Sequence, residues 1–153
     1  YGYLYEDIDI SWRVWLAGHK VLYFSSLESV HMMSVTASST YSHSRRQFMS
    51  KRNKMVTFLK NLEWITLIRF SPIILMVLLV ELIILKPKGA IFMGNINPFL
   101  NFKKILNKRK EIKKFRKITD KEIVIFFVSD HWKVIKRCIG SNLKFNIFSS
   151  KRN

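Results

Sequence analysis

One cysteine, Cys138, stands in 153 residues. That excludes an intramolecular disulfide and any metal site built from several thiolates, and it fits a reducing compartment. Acids are scarce as well: 10, against 27 lysines and arginines, for a formal charge of +17. The resulting pI near 10.3 calls for an anionic partner: nucleic acid, a phosphorylated ligand or a membrane surface. There is no Gly-rich phosphate loop, and Asp-x-Asp occurs once, as Asp7-Ile8-Asp9. No internal repeat or low-complexity linker interrupts the chain. What is abundant is apolar: 48% hydrophobic and 14% aromatic residues exclude a disordered composition.

The length suits one modest domain. The chain opens on Tyr1 and reads as a piece of a longer polypeptide. Residues 1–62 are mixed polar and apolar. Residues 63–85 are strongly apolar. Residues 86–121 are basic and amphipathic after the break Lys86-Pro87-Lys88-Gly89. Residues 122–153 hold short apolar runs with no pattern that assigns them a role.

Three of the ten acids, Glu6, Asp7 and Asp9, crowd the front of Tyr5–Val21. The spacing of Ile8, Trp12, Trp15 and Leu16 predicts a helix with one apolar face. The acids fall in its first turn, where the helix dipole favours negative charge. Gly18 suits a left-handed cap at its end. A short strand is expected at Lys20-Val-Leu-Tyr-Phe24, followed by a loop from Ser25 to Val30-His31. Dipole complementarity alone would explain acids at a helix start. Yet Asp7 and Asp9 do not share a face, so one cap cannot use both. Trp12 and Trp15 read as core, not as platforms for a sugar ring.

Glu6-Asp7, Asp9, Trp12-Arg13, Leu16-Ala17-Gly18, Val21-Leu22-Tyr23 and Val30-His31, in that order, resemble the C-terminal half of the catalytic domain of family 2 glycosyltransferases, the rhamnosyltransferase-like members above all. Arg52-Asn53 resembles the Arg-Asn that often opens the next helix in such enzymes. The resemblance spans roughly residues 1–118. It implies an α/β fold: the C-terminal half of a GT-A (Rossmann-like) domain over residues 1–62, then hydrophobic and basic amphipathic helices over 63–121 and a tail over 122–153. It implies an inverting transfer of a sugar from a nucleotide-diphosphate donor to a glycan or lipid-linked acceptor. Asp7, with Glu6 beside it, matches the base that takes the acceptor proton. Arg52, then Arg13 and Asp9, would serve the substrate and its diphosphate, with Arg45 and Arg46 behind Arg52. His31 matches a ligand of the divalent metal, Mg²⁺ or Mn²⁺, held mainly by an N-terminal half that this chain lacks. The chain alone is then expected to be inactive.

The apolar segment Trp64–Leu85 has a clean run from Pro72 that rises only about 21 Å as a helix, against about 30 Å for a bilayer core. Extension back to Trp64 reaches that length but takes in Arg69, and Glu81 lies within the run. A spanning helix, a tilted, re-entrant or interface-lying segment, and a buried helix of a domain this chain lacks are the alternatives. Downstream, Phe102, Ile105, Leu106, Ile112, Phe115 and Ile118 trace one stripe among lysines and arginines. That is the pattern of a helix on the anionic, cytoplasmic face of a membrane; the alternative is a solvated helix packing its stripe on protein. No nucleic-acid-binding motif accompanies the charge, so nucleic acid is not the expected partner. The rival readings are a non-enzymatic basic membrane-binding module and, behind it, a nucleic-acid-binding protein.

Overall fold

A computed structural model describes residues 4–22, 24, 26 and 39–124. Among the described residues six helices follow in order: α1 (Glu6–Leu16), α2 (His43–Asn61), α3 (Trp64–Ile84), α4 (Lys88–Leu100), α5 (Phe102–Phe115) and the short α6 (Asp120–Val124). Residues 1–120 form one compact unit and residues 121–153 a second.

The described residues contain no strand, which overturns the expected α/β, Rossmann-like fold: this part of the chain is all-helical. The segment expected to be a strand shows why. Val21, Leu22 and Phe24 are irregular and largely exposed. A strand needs a neighbour to take its backbone hydrogen bonds, and no described residue offers one.

α2 is the spine of the first unit, packing against α1, α4 and α5. Ser42 caps its start by accepting a hydrogen bond from the Arg45 backbone N–H at 3.3 Å. Arg52-Asn53 therefore lies in the middle of α2, not at its opening. Along α2 the buried set includes Met49, Asn53, Met55, Thr57, Leu59 and Asn61, so it is enclosed on more than one side. α4 lies against it closely enough to require glycine: a Cβ on Gly94 would meet the Phe48 carbonyl oxygen at 2.6 Å.

The end of α2 is tied down by arginines from downstream. The Arg109 guanidinium donates through Nη1 to the carbonyls of Leu59 and, at 2.7 Å, Leu62. Arg116 Nη1 donates to the Asn61 carbonyl at 3.1 Å. These are the carbonyls a helix leaves unpaired at its C-terminus, and cations suit that end of the dipole. The basic region thus closes the fold.

α1 ends as its sequence predicts. Gly18 has φ +80°, its N–H donates to the Trp15 carbonyl, and the His19 N–H reaches back to Val14, the paired bonds of a Schellman cap. Its buried face differs from the expected one. Asp9, Trp12 and Leu16 point inward, Trp15 is half-buried and Ile8 is exposed. A carboxylate occupies the buried position one turn before Trp12, where an isoleucine was expected.

Candidate functional site

The chain enters α1 through two consecutive residues in the left-handed region, Leu4 (φ 67°) and Tyr5 (φ 69°). Neither is glycine, so each is strained by about 1–3 kcal/mol and needs surrounding contacts to hold it. Those contacts come from the second motif. Asn53 Nδ2 donates to the Leu4 carbonyl at 2.9 Å. Arg52 in turn donates to Asn53 Oδ1 from Nε at 3.0 Å and from Nη2 at 2.9 Å. The Tyr5 carbonyl accepts the Asp9 N–H at 3.0 Å. Arg52-Asn53 and Glu6-Asp7, far apart in the chain, are joined by a relay of hydrogen bonds through the backbone that presents the two acids.

The acids then part company. Glu6 and Asp7 are exposed; Asp7 Oδ1 accepts the Ile8 N–H at 2.8 Å. Asp9 is 1% exposed and saturated by partners: Lys60 Nζ at 2.7 Å, Asn61 Nδ2 at 2.9 Å and Arg13 Nε at 3.1 Å. Burial, opposed by the hydrogen bond and charge of Asp9, holds the Lys60 ammonium below its ordinary pKa. Asp9 therefore locks α1 onto the end of α2 through Lys60 and Asn61, while Arg13 pairs with it from within α1. Tyr5 lies within electrostatic reach of Asp7 and of Glu81 near the end of α3. Burial first, then the carboxylates of Glu81 and Asp7, push its phenol pKa up.

Arg52 also lines a cleft of about 540 Å³ between α2, α4 and α5, with Asn53, Asn97, Asn101, Lys104 and Lys108. Its guanidinium lies 5.7 Å from the Phe48 ring centroid. Lys104 and Lys108 are exposed and in no ion pair. Sequence reasoning missed both, having assigned their helix to the membrane. Their i, i+4 spacing was the available signal, because it places both on one side of α5. Chemically the cleft offers three cations and three amides to an anion.

His31 and Val30 lie outside the described residues, as does Tyr23. Among the described residues no three His, Cys, Asp or Glu side chains converge on one point, and Asp9 is turned inward onto cations. The described residues do not by themselves fit a divalent metal.

α3 is 21 residues long and apolar enough to cross a membrane by length and composition. Most of its surface is uncovered: Ile65, Ile68, Leu75, Leu79 and Ile83 are 59–73% exposed. α5 is the reverse. Ile105 and Ile112 are buried, and the helix stops at Phe115, before Ile118. Of the stripe expected to seek lipid, protein covers Ile105 and Ile112, while Leu106 and Phe115 stay exposed.

No family model, no curated protein and no solved structure matches this chain.

Proposed function

We propose that this chain is part of a membrane-associated, inverting glycosyltransferase that moves a sugar from a nucleotide-diphosphate donor to a glycan or lipid-linked acceptor. The observation that carries the reading is the relay from Arg52-Asn53 to the strained Leu4-Tyr5 backbone in front of Glu6-Asp7. Strain held in place at the entry to an exposed carboxylate is what a positioned base requires. A helix start serving only its dipole requires no such support.

The step assigned to the chain is a displacement at the anomeric carbon. The acceptor hydroxyl oxygen forms the new bond to that carbon as the bond to the diphosphate oxygen breaks. Asp7 takes the hydroxyl proton, and Glu6 lies beside it. The departing diphosphate carries the electron pair and its negative charge toward cations. Arg52, with Lys104 and Lys108, offers that charge a cleft on the other side of the relay. Asp9 acts at one remove, by fixing α1 on α2, and Arg13 supports it by pairing with its carboxylate. Binding of the nucleotide falls to residues beyond this chain, and the location is the cytoplasmic face of the membrane.

The test uses the full-length polypeptide and a donor-turnover assay. Asp7→Asn keeps shape and hydrogen bonding but removes the proton acceptor. Turnover should fall about 10²–10⁴-fold, with melting temperature and donor affinity close to those of the unaltered protein. Near-normal turnover would return the acids to a dipole role. It would also favour the second reading, a non-enzymatic membrane-binding module, which the uncovered face of α3 supports on its own.

A further inference from the structure

α3 is long enough to cross a bilayer, but it is fastened to the charged body at both ends. At its start, the Trp64 ring lies 4.0 Å from the Arg109 guanidinium and 6.1 Å, centroid to centroid, from the Phe102 ring. Near its end, Glu81 Oε1 accepts from Lys54 Nζ at 2.6 Å and Lys51 Nζ at 3.0 Å, both from α2. The two fastenings are about 25 Å apart along the helix. Between them Leu67, Ile74 and Leu78 line an apolar groove with Met55, Phe58 and Leu59 of α2. One face of α3 is thus turned toward the body, held to it at both ends across this groove.

A helix so held cannot cross a membrane without taking its body along. Lys51, Lys54, Lys60 and Arg109 would then enter hydrocarbon, where each is costly. Left outside the bilayer, the body keeps both ends of α3 on its own side. The outer face needs an apolar environment nonetheless, since Ile65, Leu79 and Ile83 stand clear of the groove and largely exposed, and Ile68 and Leu75, on the groove's rim, are largely exposed as well. Its surroundings are cationic. Ile65 and Trp64 border a cleft of about 760 Å³ lined by Lys103, Lys110 and Lys113 of α5. Those three lysines are exposed and in no ion pair, and Arg69 is the one cation of α3 itself. An apolar face rimmed by unpaired cations matches the acyl–headgroup boundary of an anionic leaflet.

We infer that α3 lies in the plane of the membrane, its outer face sunk into one leaflet and the Lys103, Lys110 and Lys113 row set on anionic phospholipid headgroups. This rests on the membrane association proposed above and sharpens it to one-sided attachment. It is independent of the transfer chemistry.

The experiment places single nitroxide labels on the full-length protein, with Cys138→Ser as background. The positions are Ile65→Cys, Leu79→Cys and Ile83→Cys on the outer face, with Ile68→Cys and Leu75→Cys on its border with the groove. Vesicles are phosphatidylcholine with phosphatidylglycerol, and depth is read from oxygen against nickel-complex accessibility. All five labels should sit at one shallow depth, about 5–10 Å below the headgroups. A profile that passes through the bilayer midplane near Leu75, with Ile65 and Ile83 in opposite leaflets, would overturn the inference, as would labels that stay in water. Asp7→Asn, inert in transfer, should leave the profile unchanged, so failure of the chemistry and failure of the docking are read separately. Lys103→Gln, Lys110→Gln and Lys113→Gln together should weaken binding to anionic vesicles about a hundredfold and barely alter binding to pure phosphatidylcholine. Equal affinity for both vesicle types before and after substitution would remove the lysine row from the docking surface.

Discussion

α3 and α5 look alike as sequence, each a helix whose apolar residues suit a membrane, and the fold uses them in opposite ways. α5 turns Ile105 and Ile112 into the protein and leaves its lysines on the surface. α3 turns a narrow face to the protein and leaves the wider apolar one uncovered. The difference lies in quantity. A single stripe on a charged helix can be covered by the two helices it crosses. A helix that is apolar nearly all round presents more surface than one neighbouring face can cover, so its remainder needs a second apolar phase. The acids of α1 repeat the contrast within a single turn: Asp9 faces inward and holds the fold, while Asp7 faces outward and is available for chemistry.

Inward and outward residues should therefore fail in different assays. The largest effect on folding is expected at Asp9. Asp9→Asn leaves the Lys60 ammonium buried without its counter-charge and should cost about 3–5 kcal/mol of stability. Asp7→Asn should cost about 0.3–1 kcal/mol through the dipole alone. Urea unfolding of both variants side by side decides it, and equal losses would dissolve the distinction between the two acids.

A somewhat smaller effect separates the two helices. Ile112→Ala should destabilise by about 2–5 kcal/mol, since a buried side chain is removed and a cavity left. Ile83→Ala, at 73% exposure, should leave the unfolding midpoint in detergent unchanged and lower vesicle affinity instead. If Ile83→Ala unfolds the protein as readily as Ile112→Ala, the outer face of α3 is packed after all.

The smallest effect is a slope. The folded pKa of Lys60 lies below 10.5, mainly because burial disfavours its charge. Between that folded value and 10.5 the unfolded chain binds the proton more tightly than the native one. The contribution of Lys60 to stability therefore rises as pH climbs through this alkaline window and is flat below it. Lys60→Met should flatten that rise in stability measured against pH. A slope unaltered by the substitution would place the titration elsewhere.

The helical nature of the first stretch, its acids and its glycine cap were legible in the sequence because each is local. A first-turn acid, a 3.6-residue period and a left-handed glycine all act within a few residues of one another. The apolar run was legible for the same reason, since 21 residues of one character need no partner to be noticed. Tertiary structure decided the rest. Tyr5–Val21 could not reveal that Asp9, not Ile8, takes the buried position, because the deciding groups, Lys60 and Asn61, lie some fifty residues away. The strand expected at Lys20–Phe24 failed because pairing is non-local and no described neighbour supplies an edge. The apolar stripe of α5 was assigned to lipid from an amphipathic pattern that a protein surface also satisfies; with Arg109 and Arg116 capping the carbonyls of α2, Ile105 and Ile112 pack on protein. The link between Arg52-Asn53 and Glu6-Asp7 belongs to the fold as well, because it runs through the backbone carbonyl of Leu4, a group that every residue carries and no motif can mark.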